Sequence, residues 1–552
     1  MELVPANPAL DPQVVVTPLS PDRAEEILCK YSLYKDWKHI ITGLRKGFDV
    51  GVRETPPHSY IFHQPCFVTF RPRLYIFLHC QRTSSRPLFR SLHPRCLRVH
   101  NRSIPNIPTR TGSQATLEQA PTWSRHVVSQ ERSQCSICQC RGEFRRFSHI
   151  LGHLRQHSGA HTFPSLGCIA ATFDITAAYR LMPVHPNQQH ALCIFWNGLV
   201  YVDRAVMFSL TSSTGVFGAV ANMLVTIYGA ANFGLIRKWV DNFLAIRLPH
   251  QTWTEKEFMD PTGYFGVPWS IEKLCPFSSI QRYISFDWDL ERKSVALPKE
   301  KLQATQLLMK EWQHPDMSFS AREAASLHRK LVHVSCIFPL IRPFLHSISF
   351  LSQNFTSPRA KLHATPSVQH DLSWIHFLLH QLPNEVPLMN QEIVDLNWWG
   401  DASTSFGIGV VLGEFFTVWK YAPGFQASPK EAFDIGWAEA VAVELSLCLA
   451  IQFQLLRGSD ILVHSDNSGI VTVMNKGQSR SLEMNKILKH VYTLQAKTNI
   501  RLHATYVSSH DNISDALSRG QISEFLRGFP LARTQVIVPL LEHLIDKLIP
   551  WL

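Results

Sequence analysis

The chain has 552 residues, 45% hydrophobic and 18% charged, a length that calls for more than one core and a balance that excludes a disordered polymer. The net charge of +11 comes from one stretch: residues 55 to 166 hold 15 Arg, no Lys, no Asp and three Glu, leaving 39 basic against 40 acidic residues elsewhere. A basic footprint spread over the whole molecule is therefore excluded as an argument for nucleic-acid binding. No run of eighteen uncharged apolar residues predicts a membrane span, and Met1-Glu2-Leu3-Val4-Pro5 lacks the features of a secretory signal. The 12 cysteines form no repeating framework. Reduced thiols in an intracellular protein, cytoplasmic or nuclear and not secreted, are expected.

In chain order, residues 1–54 form an N-terminal helical region. Pro21 and Asp22 precede Ala24, Ile27 and Leu28, and Trp37, Ile40, Ile41 and Leu44 follow at near-helical spacing up to Gly47. Across 55–166, Pro, Ser, Arg, His and Cys dominate, and pieces such as Arg82-Thr-Ser-Ser-Arg86-Pro suit no regular element. Folded, charge-balanced surfaces seldom keep such a composition, and translation of this stretch in a shifted reading frame would account for it. In 167–298, Ile169 to Ile175 is β-rich, and Ala191 to Val206 reads as two strands joined at Asn197-Gly198. Thr214 to Tyr228 reads as a small-residue helix, and Leu235 to Ile246 as strand, turn, strand, with Asp241 at the turn. Residues 299–387 are mostly helical and end in a Pro383–Pro387 linker. Strands and helices alternate through 388–520. In the tail, 521–552, the apolar spacing from Val536 to Lys547 predicts a short amphipathic helix.

Four acidic residues lie where strands or helices could aim them at one point. Asp401 follows Leu396-Asn-Trp-Trp-Gly and leads to a strand bearing Gly407 and Gly409. Glu439 opens a helix, Asp466 ends the apolar strand from Ile461, and Asp515 begins a C-terminal helix. Any one of them alone is more often a turn or capping residue. Together they suit phosphodiester hydrolysis, which needs a positioned water and charge relief at the attacking and leaving oxygens. Two divalent ions roughly 3.5–4 Å apart supply both, and carboxylates are the ligands that suit Mg²⁺ or Mn²⁺.

Over about 395 to 520 the sequence resembles the retroelement RNase H family, in Asp401-Ala-Ser with Gly407-x-Gly409, Glu439-Ala-Val-Ala-Val, Ser465-Asp466-Asn467 and Asn512-x-x-Asp515-Ala-Leu-Ser-Arg519. The resemblance implies that Asp401, Glu439, Asp466 and Asp515 form the metal-binding quartet. Glu444 is the rival for the helix position, about 140° around the helix from Glu439. The small Ala442, three residues after Glu439, favours Glu439. His510 either matches the mobile histidine that assists product release in some members or is a solvent-exposed loop residue.

Residues 168 to 290 resemble the palm of a reverse transcriptase, most of all the DIRS-type and gypsy-type retroelement enzymes. The motifs are Phe173-Asp174 through Pro186, Phe208-Ser209-Leu210 through Phe217, Trp239-Val240-Asp241-Asn242, Gly266 through Lys273, and Tyr283 through Trp288. The resemblance implies metal ligation by Asp174 and Asp241, a steric gate at Tyr179 and nucleotide contact by Lys273. The implied fold is a multidomain α+β chain: a right-hand polymerase palm of ferredoxin-like form, a helical thumb or connection, and an RNase H-like α/β domain. The implied partners are RNA–DNA hybrid, primer-template nucleic acid and deoxynucleotide triphosphates, with Mg²⁺ or Mn²⁺ and no membrane. Two departures predict an impaired polymerase. Asn242 stands where the family carries a second aspartate, and no Lys occurs between Lys46 and Lys238, where the fingers would hold the triphosphate.

Cys135-x-x-Cys138 followed by His149, His153 and His157 is the one zinc-finger-like arrangement, but its spacings of ten and fourteen residues depart from the usual twelve. The alternatives are thus a catalytically inactive remnant and a zinc-dependent nucleic-acid-binding module.

Overall fold

The structure, a computed structural model, describes residues 15–52, 60–63, 75–78, 167–196, 199–208, 210–357, 359–389, 391–428, 433–456, 460–532 and 534–551. For 60–63, 75–78 and 193–200 it describes backbone at most. The Cys135–His157 arrangement and most of the Arg-rich stretch lie outside the described residues. The described residues divide into two compact units, one running up to Arg292 and the other from Lys293 on. Both mix helices with sheets, as the α+β reading expects.

The first unit opens with two helices, Pro21–Lys30 and Tyr34–Lys46, rather than one continuous stretch. Ser20 caps the first by accepting from the Arg23 amide, and Ser32, at φ +59°, breaks the run. Their apolar faces bury Ala24, Ile27, Leu28, Ile40, Ile41 and Leu44. Strands β1 (Tyr60–His63) and β2 (Tyr75–Leu78) lie inside the stretch read as irregular. They pair with each other, and β2 continues the sheet through β4 (Cys193–Trp196) to β5 (Leu199–Val202). β4 and β5 pair antiparallel with Trp196 opposite Leu199, in keeping with two paired strands between Ala191 and Val206; the Asn197-Gly198 step itself lies outside the described residues.

A second sheet holds β3 (Ile169–Asp174), β6 (Leu235–Trp239), β7 (Asn242–Arg247) and β8 (Cys275–Ser278) in the order β6-β7-β3-β8, antiparallel throughout. The helices Ser213–Ala230 and Glu255–Gly263 complete a βαββαβ succession, the ferredoxin-like arrangement expected of a palm. Thr254 and Glu257 form a capping box that starts the second helix. The ring of Phe258 stacks on Tyr228 at 4.0 Å between centroids, fixing the two helices in one core. The β6–β7 turn places Val240 at φ +53°, unfavourable for a β-branched residue, and so presents Asp241 beside the end of β3. Strands β9 (Ile280–Tyr283) and β10 (Phe286–Asp289) form a hairpin whose turn residues, Ile284 and Ser285, both have positive φ.

The second unit begins with β11 (Ser294–Ala296) and the helices Lys299–Trp312, Ala321–Val334, His346–Leu351 and Pro366–Gln381. Between them β12 (Ser318–Ser320) pairs with β13 (Lys361–His363). The segment read as a linker ends in β14 (Val386–Pro387), which pairs with β11. The main sheet comprises β15 (Val394–Ala402), β16 (Gly407–Leu412), β17 (Phe415–Tyr421), β18 (Asp460–Ser465) and β19 (Arg501–Tyr506) in the order β19-β18-β15-β16-β17. β15 to β17 form an antiparallel meander, whereas β15, β18 and β19 run parallel, joined by the helices Ile435–Gln452, Ser468–Lys476 and Leu482–Thr498. A Cβ on Gly400 would lie 3.2 Å from that of Ala442, so two small residues set the close approach of the Ile435–Gln452 helix to β15.

The tail corrects one expectation. Residues 536–547 form no amphipathic helix; only the single turn Glu542–Leu544 is helical. Pro539 supplies no amide to a helix. The flanking pieces β20 (Thr534–Gln535) and β21 (Leu548–Pro550) pair with the edge strand β17 instead, where the backbone bonds are better used. The helices Ser213–Ala230 and Ile435–Gln452 are long and apolar enough to cross a membrane, and they are 50% and 72% buried within the protein.

Candidate active sites

In the second unit, Asp401 lies near the end of central strand β15 and faces Gly409 across the ladder. A Cβ at 409 would come within 2.4 Å of the Leu517 Cβ and 2.6 Å of the Ser518 amide nitrogen, so glycine there admits the Asp515–Ser518 turn of helix onto the sheet. Glu439 occupies the second turn of the Ile435–Gln452 helix, which starts where Asp434 accepts from the Trp437 amide. Asp466 follows β18, immediately before Asn467, whose side chain caps the Ser468–Lys476 helix.

These elements bring one carboxylate oxygen from each of Asp401, Glu439 and Asp466 within 4.8 Å of one another. Asp515 lines the same cleft, of about 400 Å³, together with Ser403, Asn467, Ser509, Ser518 and Arg519. Asp401 and Glu439 are buried. Burial, with the charges of Asp466 and Asp515 close by, pushes the Asp401 carboxyl up to about 6. Burial, with Asp401 and Asp466 as neighbours, holds Glu439 well above the usual carboxylate range. Arg519, at 2.8 Å from Asp515, is the cation within the cleft lining. An all-oxygen donor set whose buried members resist ionisation next to one another fits hard divalent cations, which would relieve that repulsion.

Glu444 is turned away from this point. It is fully buried, with one oxygen 2.7 Å from His490 Nδ1 and the other 3.1 Å from His543 Nε2. His510 is not among the cleft-lining residues; its side chain is 96% exposed and bonded to Asp511. Sequence reasoning gave no role to Asn512, yet it is buried and its Nδ2 donates to Asp401 Oδ1 at 3.1 Å, while its Oδ1 accepts from the Ser514 amide and hydroxyl. Ser403 links the same elements, donating to the Ser518 carbonyl at 2.6 Å. The available signal was the fixed interval from Asn512 to Asp515, which lets one turn serve both ends of the site.

In the first unit, Asp174 ends β3 with Asn242 opposite it on β7, and the Ile175 amide donates to the Asp241 carbonyl at 3.0 Å. Lys273 Nζ donates to Asp174 Oδ1 at 2.7 Å. Tyr179 packs edge-on against Phe208 and Phe217; burial first, and then the charge of Asp241, raises its phenol above the ordinary range. The four residues singled out from sequence in this unit therefore share one locality.

No protein-family model matches the chain, and no curated protein matches it. Among solved structures, it is similar to a foamy viral protease-reverse transcriptase in complex with dsDNA, at 15% identity and a TM-score of 0.32, over 62% of this chain and 68% of that one. It is also similar to the dRH form of that protein with ds DNA, at 14% identity and a TM-score of 0.31, over 61% of this chain and 57% of that one. The same foamy viral protein in complex with RNA/DNA hybrid matches at 13% identity and a TM-score of 0.25, over 64% of this chain and 67% of that one.

Proposed function

We propose that the chain is a retroelement reverse transcriptase–ribonuclease H, of the DIRS or gypsy kind, acting inside the cell. In this reading its second unit hydrolyses the RNA strand of RNA–DNA hybrids and its polymerase half is impaired. The observation that carries the reading is the convergence of Asp401, Glu439 and Asp466 within 4.8 Å, with Asp515 in the same cleft. Asp401, Glu439, Asp466 and Asp515 would hold two Mg²⁺ or Mn²⁺ ions, which when bound supply a more acidic water and charge relief at the leaving oxygen. The residues do the positioning. Asn512 fixes the orientation of Asp401. Gly400 and Ala442 let the helix bring Glu439 down to the strand end. Arg519 anchors Asp515 at the open side of the cleft and adds a cation that a phosphodiester backbone could meet.

For the first unit, the reading assigns Asp174 and Asp241 to the palm and Tyr179 to discrimination against the ribose hydroxyl. Asn242, directly across from Asp174, removes a carboxylate from that set. Divalent-ion-dependent release of RNA fragments from an RNA–DNA hybrid by the full chain tests the proposal. Asp466→Asn should lower that rate by several orders of magnitude with the fold retained, because transition-state charge stabilisation is lost. An unchanged rate in the variant sinks the assignment, and no cleavage by the unaltered chain leaves the inactive-remnant reading.

A further inference from the structure

Asp401, Glu439 and Asp515 reach one cleft from three different elements, and these elements meet around the residues that follow Asp401. The Ala402 amide hydrogen-bonds the Glu439 carboxylate. The Ser403 hydroxyl donates to the Ser518 carbonyl at 2.6 Å, and Ser518 Oγ donates in turn to the Asp515 carbonyl at 2.9 Å, so the Asp515–Ser518 turn is tied to the same segment. Ser403 Oγ also accepts from the amides of Phe406 and Gly407, both at 3.1 Å, and the Ser403 amide donates to the Gly407 carbonyl at 2.9 Å, which closes the loop 403–407. Where Ser403 stands therefore sets the spacing of three of the four carboxylates.

A side chain from outside that loop fixes Ser403. Tyr421, the last residue of β17, is buried, and its hydroxyl donates to the Ser403 carbonyl at 2.8 Å. Its own backbone is held from two sides: its amide donates to the Phe406 carbonyl at 2.8 Å, and it pairs with Leu548 of β21. The phenol is near enough to the cleft that burial first, and then the charges of Glu439 and Asp401, raise it above its ordinary range. A phenol has one proton to donate, and here it goes to the main chain rather than to a carboxylate.

We propose that Tyr421 is a positioning residue of the second unit's cleft: its hydroxyl holds the Ser403 carbonyl and, through Ser403, the spacing between the Asp401–Glu439 pair and Asp515. The proposal rests on the metal-binding reading of the cleft and deepens it, since it assigns the spacing of the ligands to a residue that is not itself a ligand. Hard divalent ions demand defined distances from their oxygen ligands, so removing the hydroxyl should weaken ion uptake while the fold stays. Tyr421→Phe makes that change and keeps the ring packed on Phe425.

The test is the Mn²⁺ affinity of the full-length protein, measured by calorimetry as the uptake that Asp466→Asn removes. Tyr421→Phe should weaken that uptake about tenfold, in the range for loss of a group that orients a metal ligand. Tyr492→Phe is the control. Tyr492 is also buried, and its hydroxyl donates to the Met474 carbonyl at 2.7 Å, a like bond near the C-terminal end of the Ser468–Lys476 helix. Its loss should leave the affinity unchanged. Ser403→Ala breaks the next link, to Ser518, and should weaken uptake to a similar degree. Adding Tyr421→Phe to it should cost little more, because the two side chains act along one path. An affinity unchanged in Tyr421→Phe or in Ser403→Ala, equal losses in Tyr421→Phe and Tyr492→Phe, or losses that add in the double variant overturns the proposal. Absence of any Mn²⁺ uptake that depends on Asp466 would overturn the metal-binding reading of the cleft, and the proposal with it.

Discussion

Replacing Asp401 by Asn should make the metal-free protein more stable and the enzyme inactive. The Asp401 carboxyl, ordinarily near 3.8, is pushed up to about 6 by burial and by its acidic neighbours. An acid held above its unfolded value binds its proton more tightly when folded. Stability is therefore greatest below about pH 4 and falls as the pH rises through about 6. Above that range the ionised carboxylate costs the folded state up to about 3 kcal/mol. Asparagine removes the charge, matches the volume and still offers an oxygen to Asn512 Nδ2. In the presence of a chelator at pH 7.5, Asp401→Asn should raise the melting temperature of the second unit by about 6–12 °C. The gain should shrink toward zero near pH 4 and should narrow again at pH 7.5 when millimolar Mg²⁺ is added, since the ion stabilises only the carboxylate form. Equal melting temperatures at pH 7.5, or a gain that persists unchanged at pH 4, would refute the argument that these carboxyls are crowded into a site built for cations.

Asn512→Ala should weaken Mn²⁺ binding and hybrid cleavage together by about 10–100-fold, as loss of a group that orients a metal ligand does; an unchanged affinity would reduce Asn512 to a packing residue. Primer extension by the unaltered chain should be absent or very weak, and Asn242→Asp alone should not restore it. Robust deoxynucleotide incorporation would show that the triphosphate is held by residues other than the missing fingers lysines.

The four acidic residues of the second unit were legible because each closes or opens an element whose local pattern is plain. Asp466 follows a strand with the apolar run Ile461-Leu-Val, and Glu439 lies in the second turn of a helix of small and branched residues. The helical angle separated Glu439 from Glu444 and the small Ala442 favoured Glu439, and the two do face different surroundings. What holds the site together was not legible. Asn512 reaches Asp401 across 111 positions of sequence, and Lys273 reaches Asp174 across 99, separations that no local pattern reports. The need for glycine at 409 is set by Leu517 and Ser518, which arrive from far down the chain. In the tail, apolar spacing favoured a helix, but the open edge of β17 offered the backbone better partners. The strands β1 and β2 escaped notice because the surrounding Arg- and Pro-rich composition masks two four-residue runs.

The central claim is met most directly by one paired assay: hydrolysis of the RNA strand of a uniformly labelled RNA–DNA hybrid by full-length Glu439→Gln and Glu444→Gln proteins beside the unaltered chain, in Mg²⁺ or Mn²⁺. The account predicts cleavage by the unaltered protein and by Glu444→Gln, with none by Glu439→Gln, since only Glu439 shares the point where Asp401 and Asp466 meet. Cleavage surviving in Glu439→Gln, or lost in a folded Glu444→Gln protein alone, would contradict it.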